Sequence, residues 1–142
     1  MTQDVQILIA DDSPGDVQLT IEALKDWTIG YEVNVVRNGE EVVKYLIKQD
    51  NYADAKTPDL ILLDLNMPKM DGRQVLEKIK NDENLKRIPV IILTTSKSQD
   101  DIIKTYNLHA NSYITKPAEL DQFIQKIKSL EEYWFSTVRL PL

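Results

Sequence analysis

Five short strand-like runs, separated by helical patterns, constrain this chain more than any other feature of its sequence. The runs cover Val5–Ala10, Tyr31–Val35, Leu60–Leu63, Val90–Leu93 and Ser112–Thr115. Strands that alternate regularly with amphipathic helices are typical of βαβ units. The sequence therefore predicts an α/β domain built on a doubly wound, five-stranded parallel sheet.

The runs differ in how continuous their apolar residues are. The continuously apolar stretches, as expected for strands that helices cover on both faces, are Ile7–Ala10, Leu60–Leu63 and Val90–Leu93. Tyr31–Val35 alternates apolar with polar residues, and Ser112–Thr115 is short and mixed. We therefore expect the second and fifth strands at the sheet edges. Right-handed crossovers then give the strand order 2-1-3-4-5, with a switch point between the first and third strands.

Capping residues mark the predicted helix starts. Four polar residues stand where a helix would begin, each followed three positions later by an acidic or amide residue: Ser13, Asn38, Asp71 and Ser98. The fifth helix is expected from about Ala118. The fourth helix offers few apolar residues for burial, so we expect it to be the least firmly packed helix.

Composition limits the class of protein. At 142 residues the chain fits one domain. A net charge of −6 argues against binding to nucleic acid, where affinity comes from clustered Lys and Arg. The chain has no cysteine, and no apolar run approaches the length that crosses a bilayer. We therefore expect a soluble, cytoplasmic protein that binds neither nucleic acid nor membranes.

Polar residues follow four of the strand-like runs. In chain order they are Asp11 and Asp12, Asp64, Thr94 and Lys116. Each alone has an ordinary explanation, such as a helix cap or a solvated charge, but the carboxyl ends of parallel strands would gather all of them. Three carboxylates in one place favour a hard divalent cation such as Mg²⁺. A Lys and a hydroxyl beside them suit a tetrahedral anion, so the residues predict a phosphoryl-accepting site.

The chain resembles the receiver domain of two-component response regulators in four segments: ILIADDSPGD, LILLDLNMPKMDG, VIILTTS and SYITKP. The resemblance spans about residues 5–130, and we take residues 1–130 as the receiver domain. It implies a flavodoxin-like fold and a signalling switch that accepts a phosphoryl group from a sensor histidine kinase on Asp64. It also implies that Mg²⁺ is held by Asp12 and Asp64, with Asp11 reaching it through water and the main-chain carbonyl of Asn66 as a further ligand.

The same resemblance implies roles around the phosphoryl group. Lys116 contacts that group, Thr94 and Tyr113 form the switch pair, and the Lys116–Pro117 peptide bond is cis. His109 departs from the family, where a glycine is common before the last strand. Because His tolerates positive φ better than most residues, we expect His109 to have a structural role.

The C-terminal tail, residues 131–142, is unusually apolar for a chain terminus. The loop Tyr52-Ala53-Asp54, the segment Leu108-His109-Ala110-Asn111 and this tail resemble the single-domain regulators that pair with phytochrome kinases. We expect the tail to form part of a symmetric homodimer surface. The alternative is that it folds back on its own domain. The residues expected in the dimer contact are Trp134, Phe135, Val138 and Leu140.

Two other functions compete with the signalling switch. A haloacid-dehalogenase-like phosphatase also uses Asp, Mg²⁺ and Lys, but it needs a second Asp two positions after the nucleophile, where this chain has Asn66. A degenerate receiver that serves as a constitutive scaffold would not need the full set of site residues. With one histidine and four glycines, none in a nucleotide-binding loop, the chain is not expected to be a kinase or any other enzyme.

Overall fold

A computed structural model describes residues 4–95, 98–116 and 119–137, and side chains as far as Phe135. Its centre is a five-stranded parallel sheet in the order 2-1-3-4-5, which confirms the predicted fold and topology. The edge strands are the second and the fifth, as the mixed polarity of their sequences indicated. The strands are β1 (Val5–Ala10), β2 (Tyr31–Val36), β3 (Leu60–Leu63), β4 (Val90–Thr94) and β5 (Ser112–Thr115).

Five helices connect and follow the strands. They are α1 (Pro14–Leu24), α2 (Gly39–Ile47), α3 (Gly72–Lys80), α4 (Gln99–Asn107) and α5 (Leu120–Glu131). A π-helical segment, Glu132–Thr137, continues α5, and a short 3₁₀ turn, Asp50–Tyr52, lies between α2 and β3. Each of the four predicted caps accepts a hydrogen bond at its helix start. The expected start of α5 at Ala118 lies outside the described residues.

The strands bury both faces because their side chains alternate between two apolar clusters. One face packs against α2 and α3 through strand residues that include Leu8, Ile61 and Ile92. The opposite face packs against α1 and α5 through the strand residues next in sequence, which include Ile7 and Leu62. The continuous apolar runs of the sequence therefore reflect a sheet that helices cover on both sides.

Helix α4 is the least buried helix of the described part of the chain. Its one fully buried residue is Thr105, whereas α1, α2, α3 and α5 each bury four. Ile103 and Tyr106 of α4 are each about half exposed. Little apolar burial holds α4 in place, as the sequence predicted.

A buried carboxylate ties the end of α5 to the connection between α1 and β2. Glu131 accepts hydrogen bonds from the Thr28 and Ile29 N–H groups at 2.6 and 2.9 Å and pairs with Lys128 at 2.5 Å. Burial opposes ionisation, but Lys128 and the two N–H groups together lower the pKa of Glu131. The first residue of the C-terminal tail is thus held by its own domain.

Among residues 4–95, 98–116 and 119–137, no helix has both the length and the apolar character needed to cross a membrane.

His109 adopts the left-handed backbone conformation, with φ of 71°. It lies in the turn between α4 and β5, where its N–H bonds to the Tyr106 carbonyl at 2.9 Å. This conformation fits the structural role expected from the sequence.

Candidate functional site

The predicted site residues lie at the carboxyl ends of the parallel strands, which meet along one side of the sheet. Asp11 and Asp12 follow β1, Asp64 follows β3, Thr94 ends β4 and Lys116 follows β5. Main-chain hydrogen bonds continue the strand pairing into the site, from the Asp64 N–H to the Ala10 carbonyl at 2.9 Å and from the Lys116 N–H to the Thr94 carbonyl at 2.7 Å. The sheet therefore fixes the backbone from which these side chains project.

Three carboxylates, which we call the acidic trio, converge at this edge. Oxygen atoms of Asp11, Asp12 and Asp64 all lie within 4.8 Å of one another. Asp11 and Asp64 are buried, and Asp12 is exposed. Carboxylate oxygens are the ligands of Mg²⁺, which usually keeps several waters in its coordination shell, and the exposed side of the trio leaves room for them. The residues present fit a magnesium ion.

The Lys116 ammonium lies within the same cluster and is almost fully buried. Its Nζ atom is 2.6 Å from Asp11 Oδ2, 3.0 Å from Asp16 Oδ2 and 3.7 Å from Asp64 Oδ2. Asp16 is not among the site residues predicted from the sequence. The signal that could have found it is an acidic residue in the first turn of the helix that follows the Asp11–Asp12 pair.

The pKa of Asp64 is raised, mainly by burial of its carboxyl group and further by the charge of Asp11. Lys116, the Thr94 hydroxyl and the Asn66 N–H oppose this change by stabilising the carboxylate. Without a metal ion, four carboxylates face one ammonium here among the residues that the structure describes. Additional positive charge is therefore favoured at this edge of the sheet.

The pKa of Lys116 is raised although burial alone would lower it. The hydrogen bond and the charge of Asp11 have the largest opposing effect, followed by Asp64 and Asp16. Lys116 is therefore a cation in the folded protein and can interact with an anion at Asp64.

Thr94 and Tyr113 lie on the same face of the sheet. In the β4–β5 ladder Ile92 faces Tyr113 and Thr94 faces Thr115, so the two side chains are diagonal neighbours. Thr94 is fully buried and hydrogen bonds to the Asp64 carboxylate. The Tyr113 ring is partly buried against the α2 and α3 side of the core. Thr94 is therefore bonded to Asp64 and is at the same time a diagonal neighbour of Tyr113.

A salt bridge joins α3 to the loosely packed α4 beside the site. Arg73 in the first turn of α3 contacts Asp101 in the first turn of α4, with Nη2 at 2.5 Å and Nε at 3.2 Å from the same oxygen. Both side chains are largely shielded from solvent. Sequence reasoning missed this pair, because nothing local relates residues on two different helices.

The C-terminal tail packs against its own domain where it is described. The Phe135 ring lies 5.5 Å from the Trp27 ring, and Trp134 is partly buried against the α1 and α5 side of the core. Tyr133 is 53% exposed. Val138 and Leu140, predicted in the dimer contact, and the Lys116–Pro117 peptide bond, predicted to be cis, lie outside the described residues.

The loop after Asp64 returns closely to the start of α3, which leaves space for glycine alone at position 72. A Cβ atom at Gly72 would lie 2.3 Å from the Asp64 carbonyl oxygen and 2.7 Å from Leu65 Cα. We expect Gly72→Ala to lower the free energy of unfolding by about 1–3 kcal/mol, because this backbone must shift. Urea denaturation measures the change.

Gly15 provides the matched control for Gly72→Ala. It is exposed in the first turn of α1, and a Cβ atom there would meet nothing within 4 Å. Gly15→Ala is expected to be neutral or to stabilise by up to about 1 kcal/mol, because alanine favours helix. Equal effects of the two substitutions would show that the close approach at Gly72 has no energetic weight.

Residues 7–128 match the model of the response regulator receiver domain family. Among curated proteins, the chain is 45% identical over 135 residues to the response regulator Rcp1 of Synechocystis sp., covering 95% of this chain and 92% of that protein. Among solved structures it is similar to the phosphorylated cyanobacterial phytochrome response regulator RcpA, with 50% identity and a TM-score of 0.94 over 99% of this chain and 100% of that one. The Mn²⁺-bound form of Rcp1 is 44% identical, with a TM-score of 0.91 over 97% and 99% of the two chains.

Proposed function

The chain belongs to the response regulator receiver domain family, and from this premise we propose that Asp64 is the phosphoacceptor of a phosphorylation-dependent signalling switch. One observation carries the proposal. The Asp64 carboxylate lies within the acidic trio, accepts a hydrogen bond from Thr94 and is 3.7 Å from the Lys116 ammonium. A nucleophilic carboxylate, a site for a divalent cation and two anion-binding groups are the parts that phosphoryl transfer requires.

In the proposed reaction, an Asp64 oxygen attacks the phosphorus of a phosphohistidine on the partner kinase. The P–N bond breaks, the imidazole keeps the bonding electron pair and takes up a proton, and an acyl phosphate forms on Asp64. Asp12, Asp64 and the Asn66 carbonyl, with Asp11 through water, would hold Mg²⁺, which would supply positive charge beside the phosphoryl oxygens. Lys116, whose ammonium is 3.7 Å from Asp64, stabilises the same oxygens by its positive charge.

The conformational response is proposed to pass from Asp64 to Thr94 and Tyr113 and then to α4 and β5. Once Asp64 carries a phosphoryl group, the Thr94 hydroxyl can bond to a phosphoryl oxygen instead, which opens space for the Tyr113 ring. Helix α4 is the element that moves at least cost, because it buries so little of its surface. The Arg73–Asp101 salt bridge joins α4 to α3, so it constrains this movement.

Phosphorylation of the wild-type protein by acetyl phosphate tests the proposal. We expect the mass of one phosphoryl group to be added in the presence of Mg²⁺ and none when the metal is removed by a chelator, because the incoming group must approach three carboxylates. Intact-protein mass spectrometry measures both reactions. A wild-type protein that stays unmodified in Mg²⁺ would contradict the proposed function.

We propose further that the partner is a sensor histidine kinase of the phytochrome type, and that the chain meets it in the cytoplasm. The likeness to RcpA and Rcp1 over nearly the whole chain supports this assignment. We also propose that the chain is a signalling phosphoacceptor rather than an enzyme, and not a nucleic-acid-binding protein. Asn66, where a dehalogenase-like phosphatase needs its second Asp, supports the first part, and the net charge of −6 supports the second.

The surface formed by α4, β5, α5 and the start of the C-terminal tail is proposed to bind a second copy of the chain. The exposed side chains of Tyr106 and Tyr133 line a cavity of about 570 Å³ on this surface, and Ile103 is exposed on the same helix as Tyr106. Apolar side chains grouped in this way favour association. Trp134 and Phe135 already contact their own core, so this proposal relies more on the exposed residues than on those two.

Analytical ultracentrifugation of paired variants tests the dimer. Ile103→Glu places a charge on the proposed surface and is expected to weaken association at least about tenfold, whereas Ile47→Glu, on α2, should associate like the wild type. The two isoleucines are similarly exposed, at 48% and 51%. A wild-type protein that stays monomeric at high micromolar concentration, phosphorylated or not, would rule out the dimer.

A further inference from the structure

Lys116 divides its hydrogen bonds unequally among the carboxylates around it. Its ammonium bonds to Asp11 at 2.6 Å and to Asp16 at 3.0 Å, while Asp64 at 3.7 Å is beyond hydrogen-bond distance. An ammonium has three N–H donors, so two are committed to residues other than the proposed phosphoacceptor. The cation that should bind a phosphoryl group at Asp64 is thus held to one side of it.

The two carboxylates that hold Lys116 differ in their access to water. The Asp11 side chain is 3% exposed, and that of Asp16 is 37% exposed. Breaking the Asp11 bond would leave a buried carboxylate without its cation, which is costly. Breaking the Asp16 bond costs less, because water can solvate that carboxylate. When Lys116 turns toward an anion, Asp16 is therefore the partner it gives up.

We propose that Asp16 is a positioning residue. It holds the Lys116 ammonium away from Asp64, in what we call the parked position, and competes with the phosphoryl group for that ammonium. The inference rests on the proposed function of Asp64. Asp16 then sets how readily Lys116 engages the phosphorylated site, and so how strongly phosphorylation shifts the switch. An aspartate that only favours the start of α1 through the helix dipole would have no effect that depends on Lys116.

Asp16→Asn is the substitution that separates these roles. It keeps the size of the side chain and the main-chain N–H that bonds to the Ser13 hydroxyl at 3.3 Å, so the cap of α1 is retained. We expect it to bind beryllofluoride, a phosphoryl mimic, about tenfold more tightly than the wild type in saturating Mg²⁺, because a competing charge-assisted hydrogen bond is lost. Asp26→Asn, an exposed residue beyond the other end of α1, removes the same charge and should bind like the wild type.

A double-mutant cycle then shows whether the effect passes through Lys116. In a Lys116→Ala background, Asp16→Asn should change beryllofluoride affinity less than twofold. The same tenfold gain in both backgrounds would overturn the proposal, since Asp16 would then act only as a negative charge near the anion. Weaker binding by Asp16→Asn would also overturn it.

Lysine ammonium NMR tests the parked position without metal or beryllofluoride. The buried ammonium of Lys116 should give a resonance that is lost in Lys116→Ala and is kept when other lysines are replaced, which assigns it. In Asp16→Asn this resonance should shift, or its protons should exchange faster with water. A resonance unchanged by Asp16→Asn would overturn the proposal even where Lys116→Ala does not fold. If Asp16→Asn shifts the resonance but the wild-type protein binds no beryllofluoride, the parked position of Lys116 is supported and the function proposed for Asp64 is contradicted.

Discussion

Asp64→Asn is expected to accept no phosphoryl group from acetyl phosphate under conditions that modify the wild-type protein fully. The substitution replaces the nucleophilic oxygen by an amide, which does not form an acyl phosphate. The side chain keeps its size, so the hydrogen bonds around the strand end can be retained. Intact-protein mass spectrometry after equal incubation measures the loss.

The same variant has a predicted effect on stability that checks its fold. Because burial and the charge of Asp11 penalise the Asp64 carboxylate, removing its charge should raise the melting temperature of the metal-free protein. Asp54→Asn, in the exposed loop before β3, is the matched control and should be phosphorylated normally. Equal phosphorylation of Asp64→Asn and wild type would remove Asp64 from the proposed role.

Much of the fold follows from local sequence patterns because this sheet is buried on both faces. The continuous apolar runs of β1, β3 and β4 and the mixed runs of β2 and β5 distinguish central from edge strands, and this distinction with crossover handedness gives the strand order. The helix caps were also predictable, because a capping residue and its partner are three residues apart in the sequence. Where site residues directly follow strands, their gathering follows from the parallel arrangement.

Contacts between distant side chains could not be predicted in this way. Asp16 and Lys116 are 100 residues apart, and no local pattern shows that the first turn of α1 reaches the end of β5. The Arg73–Asp101 pair and the close approach at Gly72 likewise depend on how α3 lies against its neighbours. Which apolar side chains of the tail pack on their own core and which contact a second copy also depends on packing. The apolar composition of residues 131–142 is compatible with both arrangements.

Lys116→Met should destabilise the metal-free protein by about 3–5 kcal/mol, the cost of leaving a buried charge without its partner. Asp11 lies 2.6 Å from the ammonium and is almost fully buried, so its carboxylate would face the other acidic residues without a cation. Mg²⁺ should recover much of this loss, because a bound divalent cation replaces the missing positive charge. Urea denaturation with Mg²⁺ and with a chelator measures both effects.

Two comparisons show whether the charge is responsible. Lys126→Met, on the exposed side of α5, should leave both the stability and its dependence on Mg²⁺ near the wild-type values. Adding Asp11→Asn to Lys116→Met should restore stability in the absence of metal, because the orphaned carboxylate is then neutral. If Lys116→Met gains no more from Mg²⁺ than the wild type does, or if Asp11→Asn restores nothing, the ammonium does not balance the acidic trio. The carboxylates of the site would then have to be stabilised by interactions other than those of Lys116.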